Sequence, residues 1–273
     1  MDQCNTAPEH PPSTGLGRRS AIITPYHKEK REVLERCVKS VWHQTVAADH
    51  FMVSDGFPQE WLDHANVRHI RLGKAHNDAG NTPRALGALL AVSEGYDAIG
   101  LLDADNWLDS GHVEECYRAA DSTPETPADL VIARRRILLP DGRLTKLLEQ
   151  ANHVDTSCFW FLPGSFHLLH YWGIMPQRMA PFCDRIFYRM IKEKSLTISR
   201  AKEITVNFTC RYEVGYRSLG IKPPPEAKPG INTGEVFYWI SRLDQRQQEL
   251  ICRRCGFDPL AWTDAELQAW RIA

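Results

Sequence analysis

Long apolar runs are missing from this chain. No stretch approaches the run of about 20 apolar residues that a membrane span needs, and the opening residues hold no signal-like segment. An excess of charge of either sign is missing too: 33 Lys and Arg face 34 Asp and Glu, a formal net charge of -1. That balance calls for no nucleic acid and no anionic membrane, so any basic site must be local. Peripheral membrane contact through an amphipathic face stays open, because it needs no span. Internal repeats are lacking. The 8 cysteines form no disulfide framework among 273 residues, and Cys252-Arg253-Arg254-Cys255 stands without a second pair or a following histidine. Reduced thiols in a cytoplasmic protein are therefore expected, with no zinc.

What is present is an ordinary globular composition, 43% hydrophobic and 25% charged, at a length that suits one large α/β domain. The most informative stretch is Tyr96-Asp97-Ala98-Ile99-Gly100-Leu101-Leu102-Asp103-Ala104-Asp105-Asn106. Its apolar run reads as a buried strand; length and flanking turn residues, not periodicity, separate it from a buried helix. It releases Asp103 and Asp105 at its carboxyl end, where open α/β sheets bind ligands. Two carboxylates that close repel and are comfortable with a cation beside them, and hard divalent cations accept such oxygens together with substrate phosphates.

Taken in order, Met1 to Gly17 is rich in proline and glycine and reads as a disordered tail. Ser20–Thr24 is a strand stopped by Pro25, and Glu29–Thr45 has a helical stripe of Val33, Leu34, Cys37, Val38, Val41 and Trp42. Phe51–Ser54 and Val67–Leu72 are strands, the first ending in Asp55-Gly56; Pro83 opens a helix through Glu94. This alternation is that of a doubly wound, mainly parallel sheet. The second half loses the rhythm: β-prone segments at Asp129–Leu139, Ser157–Leu162 and Thr197–Thr209, helices at Phe182–Lys194, Glu235–Cys255 and Trp262–Trp270, and a four-proline loop over Gly220–Gly230.

Five segments in this order resemble the nucleotide-sugar half of the family 2 glycosyltransferases, over Ser20 to Asp109. They are Thr24-Pro25-Tyr26-His27, Leu34 to Thr45, Val53-Ser54-Asp55-Gly56, Gly80-Asn81-Thr82-Pro83-Arg84-Ala85-Leu86-Gly87, and Leu101 to Asn106. The resemblance implies a GT-A fold, a mixed, mainly parallel sheet flanked by helices, with a smaller acceptor-side and helical region. It divides the chain into a tail (1–18), a nucleotide-sugar-binding half (19–109), an acceptor and catalytic half (110–220), and a basic proline loop with C-terminal helices (221–273).

On that resemblance the donor is a UDP-sugar, although guanine or thymine could replace uracil. Thr24, Pro25, Tyr26, Asp55, Arg84, Asp103, Ala104 and Asp105 bind the nucleotide sugar. Asp55 accepts from the base and Tyr26 offers it a flat face. Asp105, with Asp103, holds Mn²⁺ or Mg²⁺, and Arg84 adds a cationic fork. Transfer to a glycan or glycoconjugate hydroxyl, with inversion, needs a base. The best match is Asp184, at a helix start, and Asp155 is the second candidate. The family often places Glu before that aspartate; here Cys183 precedes it. No histidine follows His170 to serve as a late metal ligand, and His153, His167 and His170 read as surface or acceptor-site residues. Arg211, Arg217, Lys222 and Lys228 either close over the diphosphate or form a solvated basic loop. Most of the aromatic group at Phe159–Trp172 is expected in the core, with Trp160 and Trp172 as acceptor-binding candidates. Trp239, Trp262 and Trp270 offer a homodimer face.

Two other readings compete. A nucleotidyltransferase making nucleotide sugars would show a glycine-rich stretch with Lys and Arg after the first strand, where this chain has Pro25-Tyr26-His27-Lys28-Glu29. A non-catalytic nucleotide-binding subunit would keep the pocket and lose the base.

Overall fold

The computed structural model describes residues 17–123, 125–147, 153–230 and 233–261. The expected tail up to residue 16, the Trp262–Trp270 helix, and the contribution of Trp262 and Trp270 to a dimer face lie outside the described residues.

The first half alternates as its pattern predicts: β1 (Ser20–Tyr26), α1 (Arg31–Trp42), β2 (Asp49–Asp55), β3 (Arg68–Leu72), α2 (Asn81–Ser93) and β4 (Ala98–Leu101). β1 and β4 are buried along their whole length, as befits central parallel strands covered on both faces. α1 turns Leu34, Cys37, Val38 and Val41 inward. α2 lies so close to the sheet that a Cβ on Gly87 would sit 2.7 Å from Ile23 Cγ2, so only glycine fits there.

The second half adds β5 (Trp107–Leu108), α3 (His112–Ala120), β6 (Leu130–Leu138), β7 (Phe159–Phe161), α4 (His170–Ile174), α5 (Cys183–Lys192), β8 (Ile198–Thr209), α6 (Glu213–Ser218), α7 (Thr233–Ser241) and α8 (Gln245–Cys255). α3 went unread in the sequence although Val113, Cys116, Tyr117 and Ala120 lie at helical spacing on its buried face. The single helix expected over Glu235–Cys255 is two: Asp244 makes a capping box with Gln247 and starts a new one. Among the described residues, no helix is long and apolar enough to cross a membrane, and every described cysteine is a free thiol.

All strands join one eight-stranded sheet in the order β3-β2-β1-β4-β7-β6-β8-β5. β1 pairs in parallel with β2 and β4, β2 with β3, and β6 with β8; β7 and β5 run antiparallel to their neighbours. The order reverses between β1 and β4, since successive strands leave β1 on opposite sides. Such a switch point opens a crevice at the carboxyl ends of the strands, and here those ends carry Pro25-Tyr26 and Asp103-Ala104-Asp105.

Candidate active site

Two cavities meet at that crevice. One, of about 290 Å³, is lined by Pro25, Tyr26, His27, Asp55, Asn77 and Gly80, among others. The second, of about 600 Å³, is walled by second-half residues including Arg135, His153, Asp155, Asp184 and Arg211. Asp103, Asp105 and Ala79 line both. The two acids therefore form the divide between a first-half chamber and a second-half chamber.

The Asp103–Asn106 turn is anchored from both halves. Asn106, fully buried, donates to Ser157 Oγ at 2.9 Å and accepts from the Thr209 amide at 2.9 Å. The Asp103 amide donates to Ser157 Oγ at 3.1 Å, and Asp105's carbonyl accepts from Arg36 and Thr209 at 2.8 and 2.6 Å. Burial, together with Asp155 and Asp105 nearby, outweighs Arg84 and pushes the Asp103 carboxyl up to about 7. Burial raises Asp105 as well, against Arg211, whose Nε lies 3.2 Å from Asp105 Oδ2. Hard carboxylate oxygens in a site still short of positive charge suit a divalent cation, so these residues fit Mn²⁺ or Mg²⁺.

Arg84 is placed differently from the expectation. It is 2% exposed, donating to Asp103 Oδ1 and to Asn81 Oδ1, each at 2.8 Å, with its guanidinium 4.9 Å over the Trp172 ring. It holds Asp103 and lines the second chamber, with its guanidinium engaged by Asp103 and Asn81 instead of standing open.

Asp55 closes the far end of the first chamber. Gly56 (φ +82°) turns the chain there, and a Cβ on it would strike the backbone of Lys74 and Ala75. Asp55 Oδ1 accepts from the His76 amide at 2.8 Å and meets His76 Nδ1 at 2.9 Å; Oδ2 accepts from the Asn77 amide at 3.2 Å. Although burial opposes ionisation, these contacts hold its carboxyl below the usual range. Asn77 (φ +54°) and Ala79 (φ +56°) adopt left-handed backbone in this loop, a strain of about 1–3 kcal/mol each that concentrates at ligand sites. Ala104 and Pro25 line the chamber as expected. Thr24 does not: it is 0% exposed and bonds His50 Nε2 at 2.8 Å inside the sheet. Tyr26 reaches the wall, but its hydroxyl is fixed by His69 Nε2 at 2.7 Å and the Gln59 amide at 2.9 Å, leaving it 1% exposed.

Across the divide, Asp184 lies in the first turn of α5. Its Oδ1 accepts from the Arg185 amide at 2.7 Å, and its Oδ2 is bonded to His153 Nε2 at 2.6 Å. Burial works against the charge, yet His153 and Arg185 hold the carboxyl down to about 2. Arg135 Nη2 lies 3.4 Å from His153 Nδ1. A guanidinium only donates, so this contact makes Nδ1 the acceptor and directs the ring proton on Nε2 to Asp184. Arg135 Nη1 also pairs with buried Asp155 at 2.9 Å. The alternation of β6 turns Arg135 inward between the outward Arg134 and Arg136, at a point where the β6–β8 register also shifts. Donor atoms of His153, Asp155 and Asp184 fall within 4.8 Å of one another. This is a second potential metal-binding group, but Arg135 already supplies a positive charge to it.

His153 and Arg135 are the residues that sequence reasoning missed. In the linear pattern His153 groups with His167 and His170 as a surface or acceptor residue; nothing local marks its pairing with Asp184, 31 positions away. Trp160 and Trp172 move the other way. Both are 0% exposed: Trp160 packs on Gly100 and edge-on against Tyr117, and Trp172 stacks on Phe187 at 4.4 Å. Neither lines either chamber. Tyr212 and Phe208 are the half-buried aromatics in the second chamber's wall.

Of the late cations, Arg211 and Lys228 line the second chamber and act on Asp105, whereas Arg217 turns to Glu213 at 2.7 Å. Lys222 is exposed.

Comparison with known proteins agrees with this architecture. Residues 21–196 match the family described as Glycosyl transferase family 2. The fold is similar to S. aureus TarS, with a TM-score of 0.54 at 14% identity, covering 92% of this chain and 47% of TarS. The chain thus spans about half the length of that protein. TarS 1-349 in complex with UDP-GlcNAc gives 0.57 at 12% identity, and with UDP 0.54 at 12%, each covering 92% of this chain and 78% of the other. Identities this low speak to fold alone. No curated protein matches the sequence.

Proposed function

Because the chain belongs to glycosyl transferase family 2, as the match over residues 21–196 shows, we propose that it moves a sugar from a UDP-sugar to an acceptor hydroxyl with inversion. One observation supports this above the rest: the two chambers meet at Asp103 and Asp105, and a carboxylate, Asp184, stands in the wall of the second alone. The nucleotide occupies the first chamber with its base toward Asp55, and the sugar crosses the divide. Binding of UDP and UDP-GlcNAc by TarS is consistent with that donor.

Asp105 and Asp103 hold Mn²⁺ or Mg²⁺ in this reading, through the carboxylate oxygens that their arginines leave open. Bound there, the cation offsets charge on the departing diphosphate. Arg211 and Lys228 add positive charge on the same side. The acceptor, a glycan or glycoconjugate, lies along Tyr212 and Phe208, whose rings can cover the apolar faces of a sugar. Its hydroxyl oxygen attacks the anomeric carbon opposite the diphosphate, the bond to the diphosphate breaks with its electron pair, and the hydroxyl proton passes to Asp184. His153 orients Asp184 by holding one carboxylate oxygen, leaving a lone pair for that proton.

A thermal-shift panel of nucleotide sugars, with and without Mn²⁺, tests the donor side. A selective ligand at about 100 times its Kd adds about 2.7 kcal/mol of apparent stability. No stabilisation by any UDP-sugar in the presence of Mn²⁺ would overturn the reading.

A further inference from the structure

The arginines around the divide are held to different depths. Arg84, 2% exposed, grips Asp103, and Arg135, 8% exposed, pairs with Asp155. Arg36 donates to the Asp105 carbonyl at 2.8 Å, with its guanidinium 3.9 Å over the Trp107 ring. Arg211 differs from all three: its side chain is 41% exposed, and it pairs with the Asp105 carboxylate itself, Nε to Oδ2, at 3.2 Å. Lys228 acts on the same carboxylate more weakly, while Glu29 and Asp155 add negative charge around it. Arg36 is favoured by Asp105 and disfavoured by Arg211, so two guanidiniums already share one acid.

The consequence, which rests on the proposed function's placing of Mn²⁺ or Mg²⁺ at Asp105, is a competition for that carboxylate. Even a dication on the other oxygen, Oδ1, would share the group with Arg211 and repel it. Arg36 is fixed by a carbonyl and a ring, whereas exposed ion pairs such as that of Arg211 hold weakly. The backbone on either side of Arg211 is pinned: the Cys210 amide donates to the Leu138 carbonyl at 2.7 Å, and the Lys228 amide to the Arg211 carbonyl at 2.8 Å. The side chain can therefore swing away alone. With the metal alone, the displaced guanidinium has only water to turn to. With a diphosphate on the metal, phosphate oxygens accept its planar fork in charge-assisted bonds.

We propose that Arg211 is a displaceable counter-ion of Asp105. It opposes a metal ion arriving alone and yields when metal and diphosphate arrive together, so that the two ligands bind cooperatively. By linkage, each then tightens the other by the same factor.

The test is titration with Mn²⁺, read from the paramagnetic resonance signal of the free ion, with and without saturating UDP and corrected by the same titrations without protein. In the absence of UDP, Arg211→Gln should bind Mn²⁺ about fivefold tighter than the unsubstituted protein, the reach of an exposed ion pair. The factor by which UDP tightens Mn²⁺ should shrink by at least about fivefold in the same variant. Arg211→Lys, which keeps the charge, should restore the weak binding of metal alone. Arg217→Gln, at a cation turned to Glu213, should change neither affinity. Both positions are exposed, so folding is not endangered. Unchanged or weaker Mn²⁺ binding by Arg211→Gln would overturn the inference while leaving the proposed function standing. So would an unchanged coupling to UDP, or a lysine variant that behaves like the glutamine one. Failure of the unsubstituted protein to bind Mn²⁺ with UDP present would instead remove the proposed metal position, and the counter-ion with it.

Discussion

The two chambers share Asp103 and Asp105 but are built on opposite plans. The first is assembled from strand ends and the loop after β3, within Pro25 to Asp105, and its acid, Asp55, is held by backbone amides and one histidine. The second draws its walls from residues 79 to 230, and its acid, Asp184, depends on a side-chain chain through His153 and Arg135 to Asp155. A site held by backbone tolerates side-chain change; a site held by side chains is exposed to it. Substitutions in the second chamber should therefore affect chemistry more than binding, and those in the first the reverse.

The sharpest break in that comparison is Asp184→Asn. Loss of a general base costs about 10³-fold in transfer, while UDP affinity, set in the other chamber, should stay within about twofold. Parallel turnover and UDP titrations check this, and unchanged turnover removes Asp184 from the mechanism.

Arg84→Met attacks the divide itself. Asp103 is 29% exposed, so leaving it without its guanidinium costs about 1.5–3 kcal/mol, the worth of a hydrogen bond to a charged group. Denaturant melts should show the loss. Added Mn²⁺ should recover more of it than in the unsubstituted protein, because the cation then replaces the missing charge. Equal recovery in both would separate Arg84 from the metal position.

A smaller effect concerns pH. Asp184 is depressed from 3.8 to about 2 in the folded state, so its contribution, about 2 kcal/mol, is complete above pH 3.8 and is lost as pH falls toward 2. Unfolding measured across that window should be less acid-sensitive in Asp184→Asn. Identical acid profiles would show that His153 and Arg185 do not stabilise the carboxylate.

The smallest effect belongs to the first chamber. His76→Ala removes one hydrogen bond to Asp55 and leaves two backbone amides in place. About 1.5 kcal/mol, near tenfold in UDP Kd, is the expected loss. Transfer at saturating donor should be unaffected; a fall in turnover instead would mean the chambers are not separable in this way.

Much of the fold was legible in the sequence because its cues are local. Apolar runs closed by Pro25, Asp55-Gly56 and Asp103 marked strands, and the stripe through Leu34, Cys37, Val38 and Val41 marked a helix. Where a cue lay in the linear pattern but was weak, as in α3, it was missed, and where capping broke a helical pattern, at Asp244, one helix became two. The aromatic group between Phe159 and Trp172 shows the limit from another direction. Composition could not tell core from cleft, and packing on Gly100 and Phe187 sent both tryptophans inward.

What the residues decided by themselves was the acidic rim of the first chamber: an aspartate at the end of each of two strands, brought together by the parallel alternation that the hydrophobic pattern dictates. The partners of each charge were decided only in three dimensions. Arg84 turned inward onto Asp103, Arg135 met the buried Asp155, and His153 met Asp184 across 31 residues. The reason is range: hydrophobic periodicity is written along a few consecutive residues, whereas the energy of a buried charge depends on whichever opposite charge packing places within a few ångströms.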